Sequence, residues 1–179
     1  VPESREIAKK YNDLALNEIK KLLESKVHEE RFCALLILID GYQKAEKERN
    51  EAGKKEIYEF YLGNIKGINN WDLVDVSAPL IVGAYLKDKN RKILYELATS
   101  EDLWEKRIAI ISTLDFIRKY EFEDTLKISE VLLTDNRDLI HKAVGWMLRE
   151  VGKRNERVLK NFLSSRYKKM PRTMLRYAI

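Results

Sequence analysis

The sequence contains one cysteine, Cys33, so no disulfide can form within the chain and nothing marks a secreted, disulfide-stapled scaffold. Glycine and proline are scarce, at 7 and 3, which argues against a fold built from many tight turns and short strands. The two histidines, His28 and His141, lie 113 positions apart with no cysteine cluster and no HExxH, so zinc finds no ligand set. A glycine-rich phosphate loop and a GxSxG turn are both missing. Cys33 falls inside the apolar run FCALLILI and is expected to be buried, which argues against a thiol nucleophile. A site without metal or cofactor is what remains. The longest apolar run, Phe32 to Ile39, is far short of the roughly 20 residues that cross a bilayer, and no charged-then-apolar leader opens the chain. A soluble protein in a reducing, cytoplasmic setting is expected, with no membrane partner. Because the chain opens Val1-Pro2 and stops within a helical pattern at Ile179, further helices are expected beyond both ends.

What is present points to helices. Charged residues (35%) interleave with hydrophobic ones (45%) over 179 residues, enough chain for one domain with a substantial core. Apolar residues recur at i, i+3, i+4 and i+7 throughout: Leu14 to Leu23, Phe32 to Ile39, Ile57 to Tyr61, Leu80 to Leu86, Ile93 to Ala98, Ile108 to Ile117, Leu126 to Leu133, Ile140 to Val151, Val158 to Leu163 and Met174 to Ala178. Polar breaks such as TSED from Thr99 and TDNRD from Thr134 supply helix-capping oxygens between them. Three helices open alike, HEERFCALLIL, WEKRIAIISTL and LIHKAVGWML. Arg31 and Arg107 stand 76 positions apart, twice 38, and Arg107 and Lys142 stand 35 apart, near the period of paired-helix HEAT-type repeats. The expected architecture is all-α: an α-solenoid of HEAT-like helix pairs forming a single domain over residues 1–179.

In INNWDLVDVSAP, Trp71 and Asp75 are spaced i, i+4 and share one helix face, whereas Asp72 is turned by about 100° and sits near the helix start. On spacing alone, Trp71 equally fits a core position, Asp72 a dipole-favourable or capping charge, and Asp75 a solvated carboxylate. Asp75 to Arg107 is 32 positions and Arg107 to Trp146 is 39, so a solenoid of that period places them on equivalent helices along one concave face. Trp146 also fits an inner core, and Arg107 a local pair with Glu105 or Asp102.

Thirty-four Lys and Arg against 29 Asp and Glu give a net charge of +5 and a pI near 9.1, compatible with a polyanionic partner. Lys142, Arg149, Lys153 and Arg154 fall on one predicted helix, and Arg166, Lys168, Lys169, Arg172 and Arg176 follow it, interleaved with Tyr167 and Tyr177. Such a half suits a phosphate backbone; solvated helix faces are the plain alternative.

Together INNWDLVD, LWEKRIAI, DLIHKAVGWMLREVGKR and YKKMPRTMLRYAI resemble the AlkD-like DNA alkylation repair family of HEAT-like DNA glycosylases, over nearly the whole chain. The resemblance implies a C-shaped solenoid whose concave, positively charged groove holds double-stranded DNA. It also implies removal of N3- and N7-alkylated purines by hydrolysis of the N-glycosidic bond, by a monomer. The family's WDxVD motif supplies a tryptophan and an essential aspartate, which match Trp71 and Asp75. The arginine of its W-x-x-R motif falls on Arg107, and the tryptophan of its GWxLRE motif on Trp146. Arg149 matches a phosphate contact of that motif, and Lys142 and Arg172 join it by charge and position. The family's V-P-x-x-R-x-I-A segment coincides with the first residues here, without the helices that usually precede it.

A purine alkylated on N3 or N7 is already cationic and leaves without a general acid. One carboxylate at the sugar carbon is then enough, where most glycosidases use two. Asp75 is expected to stabilise the oxocarbenium character and position or deprotonate water. Arg107 would hold a backbone phosphate or the carboxylate itself, while Trp71 and Trp146 line the sugar with aromatic faces. The alternatives are a non-catalytic HEAT-like module that binds bent or branched DNA by shape, and a protein-interaction scaffold.

Overall fold

In a computed structural model, residues 2–179 are described; they form helices joined by short turns, with no strand among them. Two compact units divide the chain, residues 1–85 and 86–179. The first contains α1 (Pro2–Lys10), α2 (Leu16–Leu23), α3 (His28–Lys47), α4 (Glu51–Gly63) and α5 (Trp71–Ala78). A π-helical turn, Pro79–Gly83, then leads into α6 (Ala84–Leu86), which carries the chain into the second unit. There follow α7 (Lys92–Ala98), α8 (Leu103–Ser112), α9 (Leu114–Arg118), α10 (Glu123–Val131), α11 (Asp138–Arg154), α12 (Glu156–Arg166) and α13 (Arg172–Ala178). The fold is all-α and solenoid-like in class: helices pack mainly on near neighbours in chain order. No helix among the described residues is long and apolar enough to cross a membrane.

In the first unit α3 is the central element. Its run Ala34 to Ile39 is buried on every side, against α1, α2, α4 and α5, which is why its apolar residues are contiguous rather than striped. Cys33 departs from expectation. It is only partly buried, its Sγ lies 3.7 Å from the Ser4 carbonyl, and it lines an apolar hollow beside Ile7, Tyr11 and Leu22. Gly67, in the 3₁₀ turn Ile65–Gly67 ahead of α5, is required by contact: a Cβ there would stand 2.5 Å from the Leu23 carbonyl oxygen.

In the second unit the expected single run Ile108 to Ile117 is broken at Thr113 into α8 and α9. The Ser112 hydroxyl donates to the Ile108 carbonyl at 2.6 Å and the Thr113 hydroxyl to the Ile110 carbonyl at 2.7 Å, side-chain bonds that bend helices. Asp102 caps α8 as its position foretold, accepting from the N–H groups of Trp104 and Glu105.

The TDNRD break folds differently from a simple cap. The Asp135 side chain, 5% exposed, accepts from Lys106 at 2.9 Å and from Arg137 at 2.5 Å, tying the start of α11 to α8. The Arg137 guanidinium is the main reason its carboxyl sits well below the ordinary carboxylate range, with Lys106 adding to it. A carboxyl whose folded pKa is depressed contributes stability that is present above its unfolded value, about 3.9, and lost as pH falls through the folded one. Asp135→Asn should therefore be less stable than the parent at neutral pH, by about 2 kcal/mol. The gap should narrow as the pH drops below about 4, which acid-denaturation curves will show.

Candidate functional site

Asn70 sets the start of α5: its side chain accepts from the Trp71 N–H at 2.8 Å. Asp72 does more than a helix-start charge requires. One carboxylate oxygen accepts from the Leu73 N–H at 2.9 Å, and the other lies 2.8 Å from Nε2 of His28, the first residue of α3. This pair pins the first turns of α3 and α5 together across 44 positions of sequence.

With the start of α5 fixed, Trp71 and Asp75 stand four positions apart on one face. Trp71 is 54% exposed, which removes the core reading left open by spacing; Asp75 is partly buried. Beneath them lies a buried polar contact, the Tyr61 hydroxyl 2.9 Å from Ser77 Oγ, with Ser77 donating to the Leu73 carbonyl at 2.6 Å. Ser77 thus uses its hydrogen toward Leu73 and accepts from Tyr61. Burial foremost, and the nearby Asp75 charge, push the Tyr61 phenol far above its ordinary range, so it remains a neutral donor. Tyr58 and Tyr85 stack at 4.1 Å in the same unit, and Tyr58 is pushed up to about 12, first by burial and then by Tyr85 and Glu59.

The helix changes form directly after this face. Pro79 has no N–H to give the Asp75 carbonyl, and its ring crowds that carbonyl four residues back. The turn beyond Pro79 is wide: the Ala84 N–H reaches the Pro79 carbonyl, five residues away. Single π turns inside helices recur at functional sites because they re-aim neighbouring side chains.

Arg107 and Trp146 belong to the second unit, on α8 and α11, which pack together. Arg107 is 4% exposed, and its Nη1 donates to the Leu139 carbonyl in the first turn of α11 at 2.5 Å. Trp146 is partly buried. Lys142, Trp146 and Arg149 follow at i, i+4 and i+7, one stripe of α11.

Lys142 and Arg149 also line a polar cleft of about 430 Å³ between α11 and α13, together with Asp138, Thr173, Arg176 and Tyr177. Lys142 pairs with Asp138 at 2.8 Å, and the Lys142 ammonium, helped by the Thr173 hydroxyl, holds the Asp138 carboxyl below its usual range. The Arg149 guanidinium lies 6.0 Å from the Tyr177 ring centroid, and its Nε is buried with no hydrogen-bond partner among the described residues. Arg172 lies elsewhere, at the exposed start of α13, outside the cleft lining.

The structure therefore brings together Trp71 with Asp75 in one unit, and Lys142 with Arg149 in the other. Asp138 and Thr173 are the cleft residues that the sequence did not suggest, while Arg176 and Tyr177 lay in the basic, tyrosine-interleaved stretch without being singled out. Gly145, alone in the middle of a long helix, was the available signal that another backbone comes close there. Among the described residues, no three His, Cys, Asp or Glu side chains gather as metal ligands.

The family model described as DNA alkylation repair enzyme matches residues 1–179. A solved structure described as a predicted DNA alkylation repair enzyme from Enterococcus faecalis is similar over 98% of this chain and 80% of that one, with a TM-score of 0.68. The two share 17% identity, so the likeness speaks for the fold. No curated protein matches the chain.

Proposed function

The chain belongs to the DNA alkylation repair enzyme family, and from that membership, which supports a role in DNA alkylation repair, we propose a DNA glycosylase. Its substrate is double-stranded DNA carrying N3- or N7-alkylated purines, and its reaction is hydrolysis of the N-glycosidic bond by a monomer. The observation that supports this reading most is the half-exposed Trp71 ring on the same α5 face as the Asp75 carboxylate. A large aromatic left this open beside a carboxylate suits a cationic ligand, because the ring face carries a negative quadrupole.

In the proposed reaction the bond between the sugar C1′ and the purine nitrogen breaks, and its electron pair neutralises the cationic base. The base then departs without being protonated. Positive charge develops on the sugar, where the Asp75 carboxylate stabilises it. Water adds to C1′ and gives up a proton, which Asp75 accepts or passes to solvent, leaving an abasic site. Trp71 presents its aromatic face to the sugar, whereas Arg107, 4% exposed and donating to the Leu139 carbonyl, orders the start of α11 instead of meeting a phosphate directly. Lys142, Arg149 and Arg172 supply phosphate contacts, with salt-dependent affinity.

Incubation with a duplex containing 7-methylguanine tests the reading. Abasic sites, scored by alkaline strand cleavage, should accumulate far above the spontaneous background. A chain that binds the duplex and leaves that background unchanged is a DNA-binding module and not a glycosylase.

A further inference from the structure

Helix α13 touches α11 more intimately than ordinary side-chain packing allows. A Cβ at Gly145 would lie 2.4 Å from Tyr177 Cβ and 2.5 Å from the Met174 carbonyl oxygen, so the two backbones are nearly in contact. That approach brings Thr173 and Arg176 of α13 opposite Lys142 and Arg149 of α11, around one cleft. Three cations and one carboxylate line it, a net charge of +2 in a space of about 430 Å³, roomy enough for a hydrated phosphodiester. The pairing inside it is incomplete. Lys142 is held by Asp138 at 2.8 Å, whereas the buried Nε–H of Arg149 has no acceptor among the described residues. The single Asp138 carboxylate cannot balance the three cations of the lining, and an arriving anion oxygen would.

We propose that this cleft is an anion site for a single backbone phosphate, built by Arg176 and Thr173 as much as by Arg149, and restrained by Asp138, which holds Lys142 until the phosphate replaces it. The identification of the phosphate as that of DNA rests on the function proposed above; the anion site itself does not. Asp138 has two opposed consequences. It keeps Lys142 ordered at the mouth of the cleft, and it repels the incoming anion. Arg172, outside the lining, takes no part.

Two exposed positions test this without threatening the fold: Arg176→Ala and Asp138→Asn. Titration with inorganic phosphate, followed by NMR of the α11 and α13 amides, should show binding that Arg176→Ala weakens about tenfold, the loss of one charge-assisted hydrogen bond. Asp138→Asn should strengthen it about threefold, by removing a like charge at close range. On undamaged duplex, Arg176→Ala should lower the slope of log affinity against log salt by about 0.9. Effects of the same sign in both variants, or none in either, overturn the site. Variants that move inorganic phosphate in opposite directions but leave the duplex slope unchanged make it a site for free phosphate, which overturns the assignment to DNA. A parent chain that binds phosphate as described yet releases no methylated base keeps the site and removes the glycosylase reading.

Discussion

Asp75→Asn is expected to lower the single-turnover rate of 7-methylguanine release by about 10²- to 10³-fold, while affinity for the same duplex stays within about twofold. The asparagine is nearly isosteric, so the packing of α5 on α3 and the capping of its first turn by Asn70 are unaffected. What changes is charge. The variant has no anion to set against the developing positive charge on the sugar and no group able to take a proton from water. The leaving base, in contrast, needs nothing that the variant lacks, because it departs as a neutral purine. The loss should therefore fall on the rate and not on binding, the signature of an interaction made chiefly in the transition state. Weakened binding with an unchanged single-turnover rate would instead make Asp75 a binding residue.

Gly145→Ala is the second large effect. The added methyl has no room: it meets Tyr177 Cβ at 2.4 Å and the Met174 carbonyl oxygen at 2.5 Å, and neither is the free end of a flexible side chain. Alanine would ordinarily improve a helix interior over glycine by about 1 kcal/mol. Overpacking at this contact should outweigh that and cost about 3 kcal/mol net, lowering the melting temperature by about 10 °C. The displaced element is α13, so phosphate and duplex binding should weaken with it even at temperatures where the rest of the chain stays folded. Differential scanning calorimetry reads the first effect and anisotropy of a labelled duplex the second. A variant as stable as the parent, or more so, would show that α13 yields without cost.

The helices were legible in the sequence because amphipathic periodicity is a local property. Asp102 was legible as a cap for the same reason: its acceptors are needed two and three residues away. The break at Thr113 is not legible in the sequence, because Ser112 and Thr113 look like ordinary residues in an apolar run until their hydroxyls turn back on the helix. Cys33 is more open than its apolar run suggests, because such a run says nothing of which side a neighbouring helix leaves uncovered. At the candidate site, spacing put Trp71 and Asp75 on one face but could not distinguish a core ring from an exposed one. The repeat period offered Arg107 and Trp146 as distant partners of Asp75, and resemblance to a family then matched them to its motifs. Contacts such as His28 with Asp72, 44 positions apart, and the cleft residues of α13 depend on which helices become neighbours, and no local pattern carries that. Pro79 was visible in the sequence, but the π turn that begins at it is a property of the folded helix.

Family membership supports a role in alkylation repair, while the chemistry assigned to Asp75 remains the central claim. The most direct measurement is chromatographic quantification of free 7-methylguanine released from a methylated duplex under single-turnover conditions, with the parent protein beside Asp75→Asn. The expected result is one free base and one abasic site per lesion for the parent, and release close to the spontaneous rate for the variant. Equal release by the two proteins would contradict it.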